Sequence, residues 1–421
     1  MFRAFRTARR KSSSFALALA LVGGTALSTA AFATDAMAQQ EISQEFNTVY
    51  APVATMLQGE APNYEAAKAQ IDNVVAAITT ENDRYAAGNL AVVVGNNLND
   101  SALQRRGLEM MVQSGLVAAE QLPNFNYSIG TRAFGAQDWA AARAAFNAAI
   151  AAGYTDGDTN PGNDPEYLII ASFYEEGLTD QGAAYLDNLI EERSAAGQTI
   201  PGNYIRPALQ ASYTAGLTAE SNELATQLVR SGTTPENWQS ALGVMSDVNE
   251  FPADVQVDLY RLMRETGSLT RRGEYSAFIQ ALNPQVMGSE ALAVIDQGIA
   301  ENIYPADDEY VVSVRSEATP RAAADRRERD GLVSDGRSGN GQDAMIAGNV
   351  LLSLGDYATA AEMFELAVER GYQRETALTR LGIAQVMTGN HAEAQESFAM
   401  VSGAGAPVAQ MWSLYAASQA S

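Results

Sequence analysis

The side chains able to carry chemistry are few in kind. The chain has one histidine, His391, and no cysteine among its 421 residues. That excludes a thiolate nucleophile, a disulfide framework, a thiolate metal site and a lipid-modified N-terminal cysteine. His391 stands where a turn opens a helix, with no nucleophile at a recognisable spacing. It reads as a solvated helix-start residue rather than a general base. No HExxH, GxSxG, Walker-type or strand-borne GxGxxG motif occurs. Carboxylates abound, and the dense groups are Glu175-Glu176, Glu191-Glu192 and Asp307-Asp308-Glu309. Neighbours on a helix diverge by roughly 100°, so these pairs do not aim together at one glycosidic bond. They read as charged outer helix faces, and the chain is expected not to be an enzyme. One loop, Asp156 to Glu166, sets Asp156, Asp158, Asn160 and Asp164 at the first, third, fifth and ninth places of a calcium loop. Its turn glycine comes one place late and its closing acid one place early. The same Asp/Asn/Gly/Pro run also fits a plain inter-helix turn, with Asp158 or Asp164 as a helix cap. Weak calcium binding there is the one cofactor expectation; no other cofactor is implied.

These residues sit on an exported body. Arg3, Arg6, Arg9, Arg10 and Lys11 precede a short apolar stretch, Phe15 to Leu27, and two small-residue sites, Ala31-Phe32-Ala33 and Ala36-Met37-Ala38. The stretch is interrupted by Gly23-Gly24 and falls short of the roughly 20 residues a bilayer requires. Residues 1–38 are therefore expected to be a signal peptide cut after Ala38, leaving a periplasmic or secreted protein with no membrane insertion. Taking five bases and Asp35 from the 27 Lys+Arg and 50 Asp+Glu leaves 22 and 49, a net charge of −27. Such a field repels nucleic acid and anionic lipid. The best basic candidate, Arg321 to Arg329, is interleaved with Asp325 and Glu328 and reads as a solvated helix face.

The elements beneath are helices. Apolar residues recur every three or four positions between short Gly, Pro, Asn or Asp breaks; Leu90 to Val94 is the one β-like run. Towards the C-terminus a shift of 34 residues lays Gly348 on Gly382, Gly355 on Gly389, Ala360 on Ala394 and Phe364 on Phe398. A further shift carries Leu378 to Trp412, where a lone helix caps the array. Gly130, Trp139, Ala142, Phe146 and Ala149 repeat the pattern earlier, and Tyr174-x-x-Gly177-Leu178-Thr179 recurs at Tyr213-x-x-Gly216-Leu217-Thr218. Period and residue types together resemble the tetratricopeptide repeat. The resemblance spans roughly residues 45–418 and is sharpest over 341–408. The whole chain also resembles secreted repeat proteins of alphaproteobacteria, which implies a compartment but no activity.

The expected fold is an all-α, tandem helical-hairpin solenoid after the signal peptide. Residues 39–304 form a degenerate array, 305–341 a charged helix (Pro320 to Asp330) with a flexible linker, and 342–421 a repeat pair with its cap. In tetratricopeptide proteins the first helix of each hairpin lines a concave groove. By register, the resemblance implies Tyr127, Thr131 and Phe134 in the early repeat. In the late pair it implies Met345, Asn349 and Leu352, then Thr379, Ile383 and Val386. This mixed, uncharged set suits an extended peptide. The expectation is a scaffold for protein or peptide segments; the rival readings are an envelope hydrolase using paired acids, and an assembly factor acting through its outer surface.

Overall fold

A computed structural model of the chain describes residues 42–155 and 161–420, so the expected signal segment and its cleavage site lie outside the described residues. Among these residues there are twenty α-helices and no strand. They divide into two compact units at Glu176/Gly177 rather than at the expected 305–341 boundary.

The first unit holds α1 (Gln44–Thr55), α2 (Tyr64–Ala76), α3 (Glu81–Leu98), α4 (Ser101–Gln113), α5 (Leu122–Gly135), α6 (Trp139–Ala151) and α7 (Pro165–Glu176). Polar N-caps punctuate it: Asn63, Thr80, Asp100 and Asp138 each accept a backbone N–H from the first turn of the helix that follows. Helices pack as consecutive hairpins, and α1 also meets α3 while α5 meets α7. Alternate helices thus lie side by side at both ends of the unit. Leu90 to Val94, β-like in sequence, lies inside α3. The run is apolar on every side because Gly88 approaches the Gly107 carbonyl of α4 so closely that a Cβ would come within 2.6 Å. A helix buried all round loses its amphipathic period, which is why a short apolar run is ambiguous.

The anchor of this unit is Asp83, which is fully buried. Its carboxylate accepts from the backbone N–H groups of Ser43, Thr79 and Thr80 and from the hydroxyls of Ser43 and Thr79. Burial pushes the acid upward, but these donors outweigh it and hold Asp83 at about 2. The start of α1 is thereby tied to the start of α3.

The second unit runs through α8 (Thr179–Ala195), α9 (Gly202–Ala215), α10 (Thr218–Arg230), α11 (Pro235–Val248), α12 (Ala253–Glu265), α13 (Arg272–Leu282), α14 (Gly288–Ala300), α15 (Glu309–Ser338), α16 (Gly341–Leu354), α17 (Tyr357–Glu369), α18 (Arg374–Met387), α19 (His391–Ala399) and α20 (Ala406–Gln419). The repeat register of the sequence holds in three dimensions. A Cβ on Gly348 would sit 2.6 Å from the Phe364 ring, one on Gly382 2.5 Å from Phe398, and one on Gly130 of the first unit 2.6 Å from Phe146. Each glycine is the seat of the aromatic ring sixteen residues on, and this seat sets the approach of the two helices. Gly355 and Gly389 close the hairpins at φ +78° and +81°, a conformation side-chain-bearing residues avoid.

The expected linker is not one. α15 is a continuous 30-residue helix that carries Pro320 inside it and runs on to Ser338. Val311, Val314, Ala318, Ala322 and Asp325, then Val333 and Gly336, are buried along it at steps of three and four, with the half-buried Arg329 midway across the one gap of eight. Pro320 lies on the exposed side, where water can satisfy the carbonyl it leaves without a donor. Gly336 serves packing rather than mobility, since a Cβ there would come 2.6 Å from the Met363 sulfur. Only Gly339 and Asn340 interrupt the helices, and Asn340 caps α16 by accepting from Gln342 and Asp343.

The second unit also closes on itself. α20 reaches back to α10 and α12, α18 meets α12, and α14 meets α16. The even-numbered helices α10 to α20 form the inner layer, and their faces meet across the middle of the unit.

Candidate functional site

The inner face of α12 carries Asp254, Asp258, Arg261 and Glu265 at steps of four, three and four, so all four share one side of the helix. Asp258, Arg261 and Glu290 are buried, as is Arg380 on α18. Arg261 makes a bidentate bridge to Glu290 at 2.8 and 2.7 Å and reaches Asp258 at 2.6 Å. Arg380 approaches Asp258 at 3.3 Å and donates to the Asn349 side chain at 2.6 Å. The Glu290 backbone N–H donates to Ser353 at 3.0 Å, and the Trp412 indole donates to the Asp258 carbonyl at 2.9 Å. Four inner helices besides α12 thus place polar groups on one axis.

Charge balances here: two carboxylates face two guanidiniums. Burial alone would raise the Glu290 carboxyl, but Arg261 holds it below the usual range. Burial alone would likewise lower Arg261, and Glu290 and Asp258 reverse it. Glu290 is held in the charged form by Arg261, and Asp258 is fixed between two arginines, so both carboxylates are already engaged. The arrangement holds helices together; it does not resemble an acid/base pair.

The nine residues implied as groove-lining fall into three groups. Met345, Leu352, Thr379, Ile383 and Val386 are buried, because α16 and α18 turn their inner faces onto α12, α14 and α20. Asn349 is half-buried and accepts from Arg380. The open groove expected of the late pair is therefore filled by the chain's own helices. In the first unit Tyr127, Thr131 and Phe134 are all half-buried. Tyr127 stacks on Tyr154 at 4.3 Å and donates to the Asn163 carbonyl at 2.6 Å. Phe134 packs edge-on against Trp139 at 5.0 Å. These two rings belong to the packing of α5 against α6. Thr131 only bonds back within its own helix, to the Ser128 carbonyl.

Sequence reasoning missed Asn89. It lies on α3, with 9% exposure and a buried side-chain oxygen that has no donor among the described residues. The signal was present as a lone polar residue within the Gly88 to Gly95 apolar run.

Asp156, Asp158 and Asn160 lie outside the described residues. Asp164 accepts from the backbone N–H groups of Glu166 and Tyr167, so it caps α7, the alternative role foreseen for it. The dense acid groups serve structure too. Glu176 pairs with Arg143, Asp308 caps α15 and pairs with Arg272, and Glu191 and Glu192 are exposed. His391 opens α19, and its Nδ1 is buried without a hydrogen-bond partner among the described residues.

A cavity of about 280 Å³ opens at one end of the axis, lined by Asp254, Asp258, Glu375, Thr376, Thr379 and the Ser402 to Gly405 turn. Its acids are engaged: Asp254 accepts from Thr376, Glu375 from the Ser402 backbone, and Asp258 from the two arginines.

Among solved structures the chain is similar to the pentatricopeptide repeat protein PPR10 from maize. The match has 14% sequence identity and a TM-score of 0.30, over 89% of this chain and 61% of that one. The chain thus spans less than two thirds of that protein's length. A likeness this shallow carries no argument, and the helical-repeat fold rests on the packing described above. No family model and no curated protein matches the chain.

Proposed function

We propose that this chain is an exported scaffold that holds protein or peptide segments in the cell envelope and catalyses no reaction. The observation that carries the reading is the contrast between the two units. The inner faces of the second are closed over a buried ionic axis, whereas the first keeps Thr131 half-exposed, its hydroxyl bonded only to the Ser128 carbonyl of its own helix. An extended peptide offers alternating N–H and C=O groups that such a hydroxyl binds. The acidic balance argues against nucleic acid as the partner. Export rests on the basic and apolar opening of the sequence and the Ala36-Met37-Ala38 site; N-terminal sequencing is expected to find a soluble product starting at Gln39.

The test is affinity capture from an envelope extract with the chain from Gln39 onward, followed by recapture of the identified partner by variants. Thr131→Arg is expected to weaken recapture without lowering the melting temperature. Capture of nothing overturns the scaffold reading. Recapture unchanged by Thr131→Arg but abolished by Glu362→Lys or Glu369→Lys moves the site to the outer helices, as an assembly factor would use them.

A further inference from the structure

Most cations described in the first unit are paired with carboxylates. Lys68 pairs with Asp100, Arg105 with Glu109 and Asp138, Arg106 with Asp72, and Arg143 with Glu176. Arg84 and Arg132 have no acid partner among the described residues, and nothing there fixes the Arg84 guanidinium. That of Arg132 is held in one pose by neutral acceptors. Its Nε donates to the Gln104 side chain of α4 at 2.8 Å, and its Nη1 to the Ser128 carbonyl of its own helix at 2.9 Å. Gln104 is anchored in turn, donating to the Gly95 carbonyl of α3 at 3.0 Å. Gly95 permits this closeness, since a Cβ there would come 2.8 Å from the Gln104 backbone nitrogen. Three helices thus build the seat of one guanidinium.

The seat is unfavourable for a lone cation. Arg132 is half-buried, and burial pushes its guanidinium down with no carboxylate to oppose it. Its place in the last turn of α5 favours positive charge, but a helix end is a weaker partner than a carboxylate. Nη2 keeps both its N–H groups without a partner among the described residues, and so does the hydroxyl of half-buried Ser128, one turn back on the same face. A planar fork fixed at one edge and open at the other matches a carboxylate. The formal charge of −23 repels free anions and polyanions, which leaves a single carboxylate carried in by a segment with other contacts. Thr131, half-exposed beside Arg132 on α5, is where such a segment lies in the scaffold reading.

We propose that Arg132 receives the carboxylate of an aspartate or glutamate side chain from a bound partner segment, with the Ser128 hydroxyl donating beside it. This deepens the scaffold reading by naming the chemistry of one partner contact, and it rests on that reading.

The probes are N-acetylglutamate amide and its neutral counterpart N-acetylglutamine amide, titrated into the full chain at neutral pH and constant ionic strength. The Nε–Hε resonance of Arg132 is followed by NMR. The glutamate probe is expected to displace it saturably and the glutamine probe to leave it in place. Arg106, already paired with Asp72, is expected to respond to neither. The glutamate probe is also expected to raise the melting temperature. Arg132→Lys keeps the charge without the fork, and is expected to need about tenfold more probe for the same rise. No saturable displacement in wild type, an equal response to the glutamine probe, an equal response at Arg106, or undiminished binding by Arg132→Lys each overturns the proposal. The wild-type resonance decides even if the variant does not fold. The scaffold reading fails separately, through capture of nothing from the envelope extract.

Discussion

The indole Nε1 of Trp412 donates to the backbone carbonyl of Asp258 at 2.9 Å, joining positions 154 residues apart. A residue that sequence alone marks as the end cap of a repeat array is, in the fold, the bolt between its last helix and α12. Arg380 reaches the side chain of the same aspartate from α18.

Breaking that junction on the side-chain side is expected to be severe. Asp258→Asn leaves Arg261 and Arg380 short of a buried counter-charge, and the loss expected is about 3–5 kcal/mol. Urea unfolding checks it; a loss comparable to that of an exposed acid such as Glu236→Gln would mean that the axis contributes little to holding the unit.

The repeat register yields a paired test. Ala394 is fully buried on α19, while Ala392 on the same helix is exposed. Ala394→Leu is expected to overpack the helix pair by about 1–3 kcal/mol, and Ala392→Leu to leave the melting temperature nearly unchanged.

Asp83 makes the stability of the first unit depend on acid. Its folded value, about 2, lies below the ordinary 3.8. A depressed acid stabilises fully above its unfolded value, and that contribution disappears as pH falls from about 4 to about 2. Asp83→Asn is expected to cost about 2–3 kcal/mol at neutral pH, since the Ser43, Thr79 and Thr80 donors lose their charged acceptor. Urea midpoints of wild type and variant, followed downward in pH, are expected to converge across that window.

Pro320 offers the opposite sign. It sits on the solvent side within α15 and denies the helix one backbone hydrogen bond. Pro320→Ala is expected to raise stability by about 1–3 kcal/mol. A drop in melting temperature would mean that the proline is needed where it stands.

What the sequence disclosed and what it hid separate by range. Gly348 with Phe364 and Gly382 with Phe398 are local pairs repeated at a fixed period, and their types state the helix approach outright. Thr379 and Ile383 were placed on the correct helices, yet their exposure depended on α12 and α20 returning to cover them. Asp258 and Arg380 are 122 residues apart, and nothing periodic links them. Residues 320–330 read as helix, but the extension of that helix to 309 and 338 is concealed for another reason. Its glycines, serines and aspartates have the composition of a linker, while Gly336 is small because Met363 lies against it. Asp164 was legible as a cap because capping is decided within three residues.

Closure of the second unit has a consequence for how the chain can vary. In an open solenoid each hairpin touches only its neighbours, so whole units are gained or lost with little penalty. Here α20 must arrive at α10 and α12 after a set number of turns, with Trp412 opposite Asp258. One hairpin more or fewer between α12 and α18 would carry Arg380 and Trp412 past their seats. The unit count of this half is fixed by arithmetic, and freedom to change length is left to the loops outside the axis.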